Sequence, residues 1–354
     1  MAGYRKSPIE FSVEELDREL IARGAQVPDE KKFKFKDVEG TPERDSIVTG
    51  ARELYRTAPA PNETLAGVDT WDLAKILIFK TGSAMDFTRG PWSDDIIMDC
   101  YDELMDEQIK RNAECTAAIC MKDNLIDTDK GFFMLKVKNY QKAFNLCDLE
   151  PFGAQPVSTG AMCTGFLVKE DVIATSAHFV NENNVTDLRI VFGYKMTDPY
   201  TPVTKFSTDH IYHGVKILYG ALNAKEKGAD WVLVKMDRAV TGQSPAAAVL
   251  SKDNISIEQA VYVIGHPLGL PLKLAKELYV QDNTPETHFT ANLNVYSGNI
   301  GSPVFDLHTH EVIGMVGPGA NRDFRWTGNG WMSINLPGKN KIRCTRVSQF
   351  IELI

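Results

Sequence analysis

YSGNIGSPVF, residues 296–305, is the stretch on which the fold turns. Gly298 and Gly301 bound a tight turn, and Pro303-Val304-Phe305 opens an apolar run that reads as a strand. At the centre of the turn stands Ile300, apolar and β-branched. Two earlier fragments share the strand-and-turn layout. DVIATSAHFV (171–180) ends a strand in small residues and sets His178 at the start of a turn. GADWVLVKMDR (228–238) places Asp230 immediately before a buried strand.

Working outward, the chain from about residue 113 is a succession of short β-branched or aromatic runs punctuated by Gly, Pro, Asn and Asp. CTAAICM (115–121), GFFMLKVKNY (131–140), DLRIVFGY (187–194), AVYVIGHP (260–267) and EVIGMVG (311–317) are typical. No amphipathic helices lie between them. That excludes a parallel α/β sheet and predicts an antiparallel barrel or sandwich. RVSQFIELI (346–354) is compatible with a short C-terminal helix packed on it.

Residues 1–110 read as helical instead. SVEELDRELIARG (12–24) opens with Ser12 and Glu15 in capping-box spacing and closes on Gly24. TPERDSIVTGARELYRTAP (41–59) has Thr41 as a cap, Pro42 at the first helical position and Pro59 as a stop. TWDLAKILIFKTG (70–82) repeats the plan, and SDDIIMDCYDELMDEQIKRN (93–112) carries Ile96, Ile97, Tyr101, Leu104 and Met105 at helical spacing. DEKKFKFKD (29–37) alternates charges with aromatics and reads as a solvated loop or hairpin edge.

The 354 residues fit two domains, or one large fold with an extension. A net charge of −8 argues against a nucleic-acid-binding surface. The first twenty residues hold no apolar run suited to secretion, and no stretch reaches the length of a membrane span, so a cytoplasmic protein without membrane contact is expected. Six scattered cysteines include no Cys-x-x-Cys pair and read as reduced, mostly buried thiols; Cys147 and Cys163 bracket a loop and could meet across it. His210 and His213, and His308 and His310, lack a carboxylate or cysteine at coordinating spacing, so no metal and no cofactor are expected. Trp231, Trp326 and Trp331 read as barrel core or rim.

Taken in order, the His178, Asp230 and Ile300 fragments resemble the motifs of chymotrypsin- and trypsin-like serine proteases. They are most similar to the glutamyl-endopeptidase-like (V8-like) bacterial branch, whose serine motif reads Gly-Asn-Ser-Gly-Ser-Pro. The resemblance spans about residues 113–354 and includes NLCDLEPFGAQPVSTGAMCTGFLV (145–168), VYVIGHPLGLPLK (261–273), VIGMVGPGANRDF (312–324) and RCTRVSQFIELI (343–354). It implies two antiparallel six-stranded β-barrels over residues 111–354, preceded by a helical extension over 1–110.

In such a site a serine hydroxyl needs an imidazole to take its proton and a buried carboxylate to hold that imidazole. The resemblance assigns His178 as base, Asp230 as its orienter, and the N–H groups of Gly298 and Ile300 as the oxyanion hole. The nucleophile belongs at position 300, which is isoleucine. Ser302 lies two residues on, displaced by about 6–7 Å in an extended segment, and Ser297 precedes the turn. Substrate contacts fall on Asn294, Val316, Gly317 and Gly319, with neither a basic nor an acidic preference implied. Phe179 stands where secreted members commonly carry a cysteine.

The resulting expectation is a protease homologue that is catalytically inactive as written and binds a peptide or protein, or serves as a scaffold. The alternatives are a serine endopeptidase altered at position 300 in this chain, and an interaction module whose N-terminal helices engage a protein partner.

Overall fold

The computed structural model describes residues 6–24, 62–81 and 97–101. From residue 106 it describes all but 129, 149, 223–228, 242–244, 294, 319–323, 327–329 and 334–340. The helix expected over 41–59, the DEKKFKFKD stretch, Asn294 and Gly319 lie outside the described residues.

Helix α1 (Val13–Gly24) starts as its sequence dictates. The Glu15 N–H donates to Ser12 Oγ at 3.2 Å, and the Ser12 N–H donates to Glu15 Oε2 at 2.6 Å, closing the capping box. Leu16 and Leu20, one turn apart, are fully buried against Leu73 and Leu77 of helix α2 (Thr70–Thr81). Arg23 ends α1 by donating to the carbonyls of Val68 (2.6 Å) and Leu65 (2.5 Å) while pairing with Glu19 at 2.7 Å.

The stretch 93–112 departs from the single helix its periodicity predicts. Among its described residues Ile97–Asp99 is a strand, β1, and the helix is Glu107–Glu114 (α3), capped by the Asp106 carboxylate. Burial of Ile97 in a barrel core and an ion pair made by Asp99 override the local pattern.

Strand β2 (Thr116–Met121) opens the first barrel, followed by β3 (Leu125–Asp127), β4 (Phe132–Leu135) and β5 (Val137–Asn139). A one-turn helix α4 (Tyr140–Phe144) leads to β6 (Pro156–Ser158), β7 (Met162–Lys169), β8 (Val172–Thr175), β9 (Leu188–Phe192), β10 (Lys205–Ser207), β11 (Ile211–Leu222) and β12 (Asp230–Met236). Six of these close a barrel in the order β11-β12-β8-β7-β2-β9, with β10-β4-β3 as a small sheet beside it.

The second barrel uses β13 (Ala260–Gly265), β14 (Lys273–Asp282), β15 (His288–Ala291), β16 (Pro303–Asp306) and β17 (Val312–Val316). A hairpin, β18 (Phe324–Trp326) and β19 (Trp331–Ser333), precedes the last strand, β20 (Ile342–Arg346). The ring β14-β13-β16-β17-β20-β15 is closed by pairing of β14 with β15, and β1 adds to its outside along β14. Two closed six-stranded antiparallel barrels are the chymotrypsin-like architecture expected from the sequence. The short helix expected over 346–354 is two 3₁₀ turns, Val347–Gln349 and Ile351–Leu353, packed on the barrels through Val347 and Phe350.

One apolar cluster runs from the first barrel across to Tyr262, Ile264, Leu274, Phe305 and Met315 of the second, another fills the second barrel, and the helices have their own, made by Phe11, Leu16, Leu20, Leu65, Leu73 and Leu77 with Cys147 and Met332. Met332 is the middle residue of β19, so the hairpin turns Met332 to the helices and Trp331 into the second barrel. All six cysteines are buried free thiols, and Cys147 and Cys163 lie in different cores. Trp231 packs on Phe350 at 5.4 Å in the first core. No helix among the described residues is long and apolar enough to cross a membrane.

Candidate active site

The turn 297–301 leaves β15 and enters β16, and two glycines make it possible. Gly298 has φ +93°, and a Cβ there would stand 2.4 Å from the His266 carbonyl oxygen. Gly301 has φ +86°, and a Cβ there would stand 2.1 Å from the Thr164 carbonyl oxygen and 3.2 Å from the Ser176 nitrogen. The second-barrel turn is therefore pressed against β7 and the end of β8, two residues from His178.

Thr164, fully buried on β7, makes this junction. Its N–H donates to the Ile300 carbonyl at 3.0 Å and its hydroxyl to the Gly298 carbonyl at 2.9 Å. The same hydroxyl accepts the His266 N–H at 3.0 Å, while the Thr164 carbonyl accepts from Thr175 Oγ1 at 2.7 Å. Gly301 N–H donates to the Val316 carbonyl (2.8 Å), and Val316 N–H to the Ser302 carbonyl (2.9 Å). Sequence reading did not single out Thr164 or His266, because their roles arise only when the barrels meet.

Ile300 is half-buried and belongs to none of the apolar cores. Its N–H makes no hydrogen bond with a described residue, as a donor kept for a ligand carbonyl would. Ser302 is fully buried against Asn299, at 3.4 Å, and is closed to a substrate. Val316 is buried in the second core, and Gly317 follows it with its N–H on the Arg343 carbonyl at 2.9 Å.

From the first barrel come His178, just past β8, and Asp230, the first residue of β12. Asp230 is 3% exposed. Its Oδ1 accepts the His178 backbone N–H at 2.9 Å and its Oδ2 accepts the Ser176 hydroxyl at 2.6 Å. Burial pushes the Asp230 carboxyl up, and the Ser176 hydroxyl, then the His178 N–H, pull it back. The half-buried His178 imidazole hydrogen-bonds none of the described residues.

His266 beside the turn is 1% exposed, stacks on Tyr194 at 5.5 Å and donates Nδ1–H to the Leu270 carbonyl at 3.0 Å. Burial lowers it to about 3, so it is neutral and structural. Among the remaining histidines, His308 is exposed on a loop and His210 sits on Ser207 Oγ at 3.0 Å. His213 lies on β11, and His310 meets the Tyr262 hydroxyl at 3.1 Å.

Residues 163–315 match the family model of the trypsin-like peptidase domain, a span that contains His178, Asp230 and Ile300. Among solved structures, an inactivated protease paralogue of the scabies mite is 14% identical, covering 69% of this chain and 94% of that one, with a TM-score of 0.44. Human heparin binding protein is 12% identical over 69% of this chain and 90% of that one, TM-score 0.44. The Rv3671c protease from M. tuberculosis, active form, is 13% identical over 70% and 82%, TM-score 0.42. No curated protein matches the chain. Two closed antiparallel barrels with this turn at their junction have the trypsin-like protease fold, and the match to the trypsin-like peptidase domain covers residues 163–315.

Proposed function

We propose that this protein is a trypsin-like protease homologue, of the glutamyl-endopeptidase-like branch, that holds a peptide or protein segment at the junction of its barrels without cleaving it. One observation carries this reading. The turn keeps its two positive-φ glycines and its pairing to Thr164, yet Ile300 occupies the nucleophile position. A hydrocarbon side chain cannot attack a carbonyl, and its bulk stands where the scissile group would approach. The exposed face of Ile300 and its unengaged N–H suit a ligand with a neutral side chain and an extended backbone. The Gly-Asn-x-Gly-Ser-Pro pattern of residues 298–303 supports the branch assignment. Six free thiols support residence in a reducing compartment.

The test is affinity selection from a mixed peptide library, read by mass spectrometry. Intact peptides should be retained by the wild type, and Ile300→Arg should weaken them about tenfold, about 1.4 kcal/mol. Recovery of cleaved peptides would favour a working endopeptidase. Retention of none would favour the scaffold role.

A further inference from the structure

We propose that Ser176 keeps the His178 imidazole from the Asp230 carboxylate, so that the catalytic set is broken at a second point besides Ile300. In a working set the carboxylate receives the ring N–H of the base and fixes its orientation. Here the carboxylate receives groups of the 176–178 turn, after β8. Ser176, itself fully buried, donates to Asp230 Oδ2 at 2.6 Å, a short charge-assisted bond. The same hydroxyl accepts the His178 backbone N–H at 3.0 Å, and Asp230 Oδ1 shares that N–H at 2.9 Å. Thr345 Oγ1 fixes the Asp230 backbone from the second barrel, accepting its N–H at 3.1 Å and donating to its carbonyl at 3.3 Å. The carboxylate is thus oriented toward the 176–178 turn, while the imidazole is bonded to no described residue. Among the groups that pull the Asp230 carboxyl down against burial, the Ser176 hydroxyl outranks the charge of His178. Asp230 and Ser176 act as a brace for the turn, and Ser176 is a positioning residue.

This inference deepens the reading above and rests on His178 and Asp230 being the remnant of a catalytic pair. Its test reads the pair directly and needs no activity. Proton NMR of the full chain, assigned with His178→Gln, reports the His178 ring N–H. In the wild type no downfield, carboxylate-bonded ring N–H should appear. In Ser176→Ala one should appear, because the freed carboxylate oxygen can then accept the ring N–H. Ser176→Thr, which keeps the hydroxyl, should behave as the wild type. A wild type that already shows the bonded ring N–H overturns the proposal, whatever the variants do. So does an alanine variant indistinguishable from the threonine one. With the nucleophile restored, Ile300→Ser/Ser176→Ala should react with a fluorophosphonate at least tenfold faster than Ile300→Ser, and equal rates count against the role. Labelling of the unaltered chain would instead refute the inactive reading and leave the NMR result to stand separately.

Discussion

At the residue scale, Thr164 and His266 carry as much of the site as the residues named for chemistry. Each satisfies backbone groups that would otherwise be buried unpaired, which costs about 1–3 kcal/mol apiece. His266 also makes a pH prediction. Its folded-state value is about 3, against an ordinary value near 6.5. The unfolded chain therefore takes up this proton first as pH falls. The contribution of neutral His266 is fully present above about pH 6.5 and is lost through the window down to about 3, at about 1.4 kcal/mol per pH unit. Urea unfolding between pH 7 and 4 should show this slope in the wild type, reduced by about one proton in His266→Gln. Equal slopes would show that His266 is not buried neutral.

The same scale shows what was legible. His178, Asp230 and Ile300 could be picked out because each sits at a strand end in a local pattern of small residues. Thr164 lies within CTGFLV, an ordinary strand by composition, and nothing local announces a partner at residues 298–300. Ser176 was equally silent, since TSAH reads as a strand terminus whether or not the hydroxyl meets a carboxylate.

At the element scale, β-branched and aromatic runs bounded by turn residues predicted the strands, as in DWVLVKM, which is β12. In the stretch 93–112 the described residues 97–99 are strand, and the helix begins at Glu107, where Asp106 caps α3. Strand β1 exists through its partner. Asp99 pairs opposite Lys273 of β14, whose ammonium is 2% exposed and bonds Asp99 Oδ1 at 2.5 Å, Gln155 Oε1 at 2.8 Å and the Pro271 carbonyl at 3.0 Å. Gln155 closes the cluster by donating to Asp99 Oδ2 at 2.7 Å. Asp99→Ala would strand the cation in the core and should cost about 3–5 kcal/mol, whereas Asp99→Leu/Lys273→Met should be far milder. Denaturant midpoints decide this; a neutral Asp99→Ala would mean the pair contributes nothing to holding β1.

At the scale of the whole molecule, two barrels supply the site from opposite sides and the N-terminal segment grips the second barrel twice. One grip is β1 along β14. The other is the helical core that receives Met332, on the hairpin between β17 and β20, and Cys147, on the segment between α4 and β6. No reading of helical periodicity could expose the second contact, because Met332 and Leu20 are distant in sequence. The architecture itself was legible, since its strand punctuation repeats along the chain and needs no long-range information.

The proposed function holds that this fold keeps a protease turn without its reaction. Incubation of the intact wild-type chain with a fluorophosphonate probe, followed by peptide mapping, tests it most directly. The account predicts no adduct on any serine near His178, Ser176, Ser297 and Ser302 included. A stoichiometric adduct on one of them, abolished by His178→Gln, would contradict it.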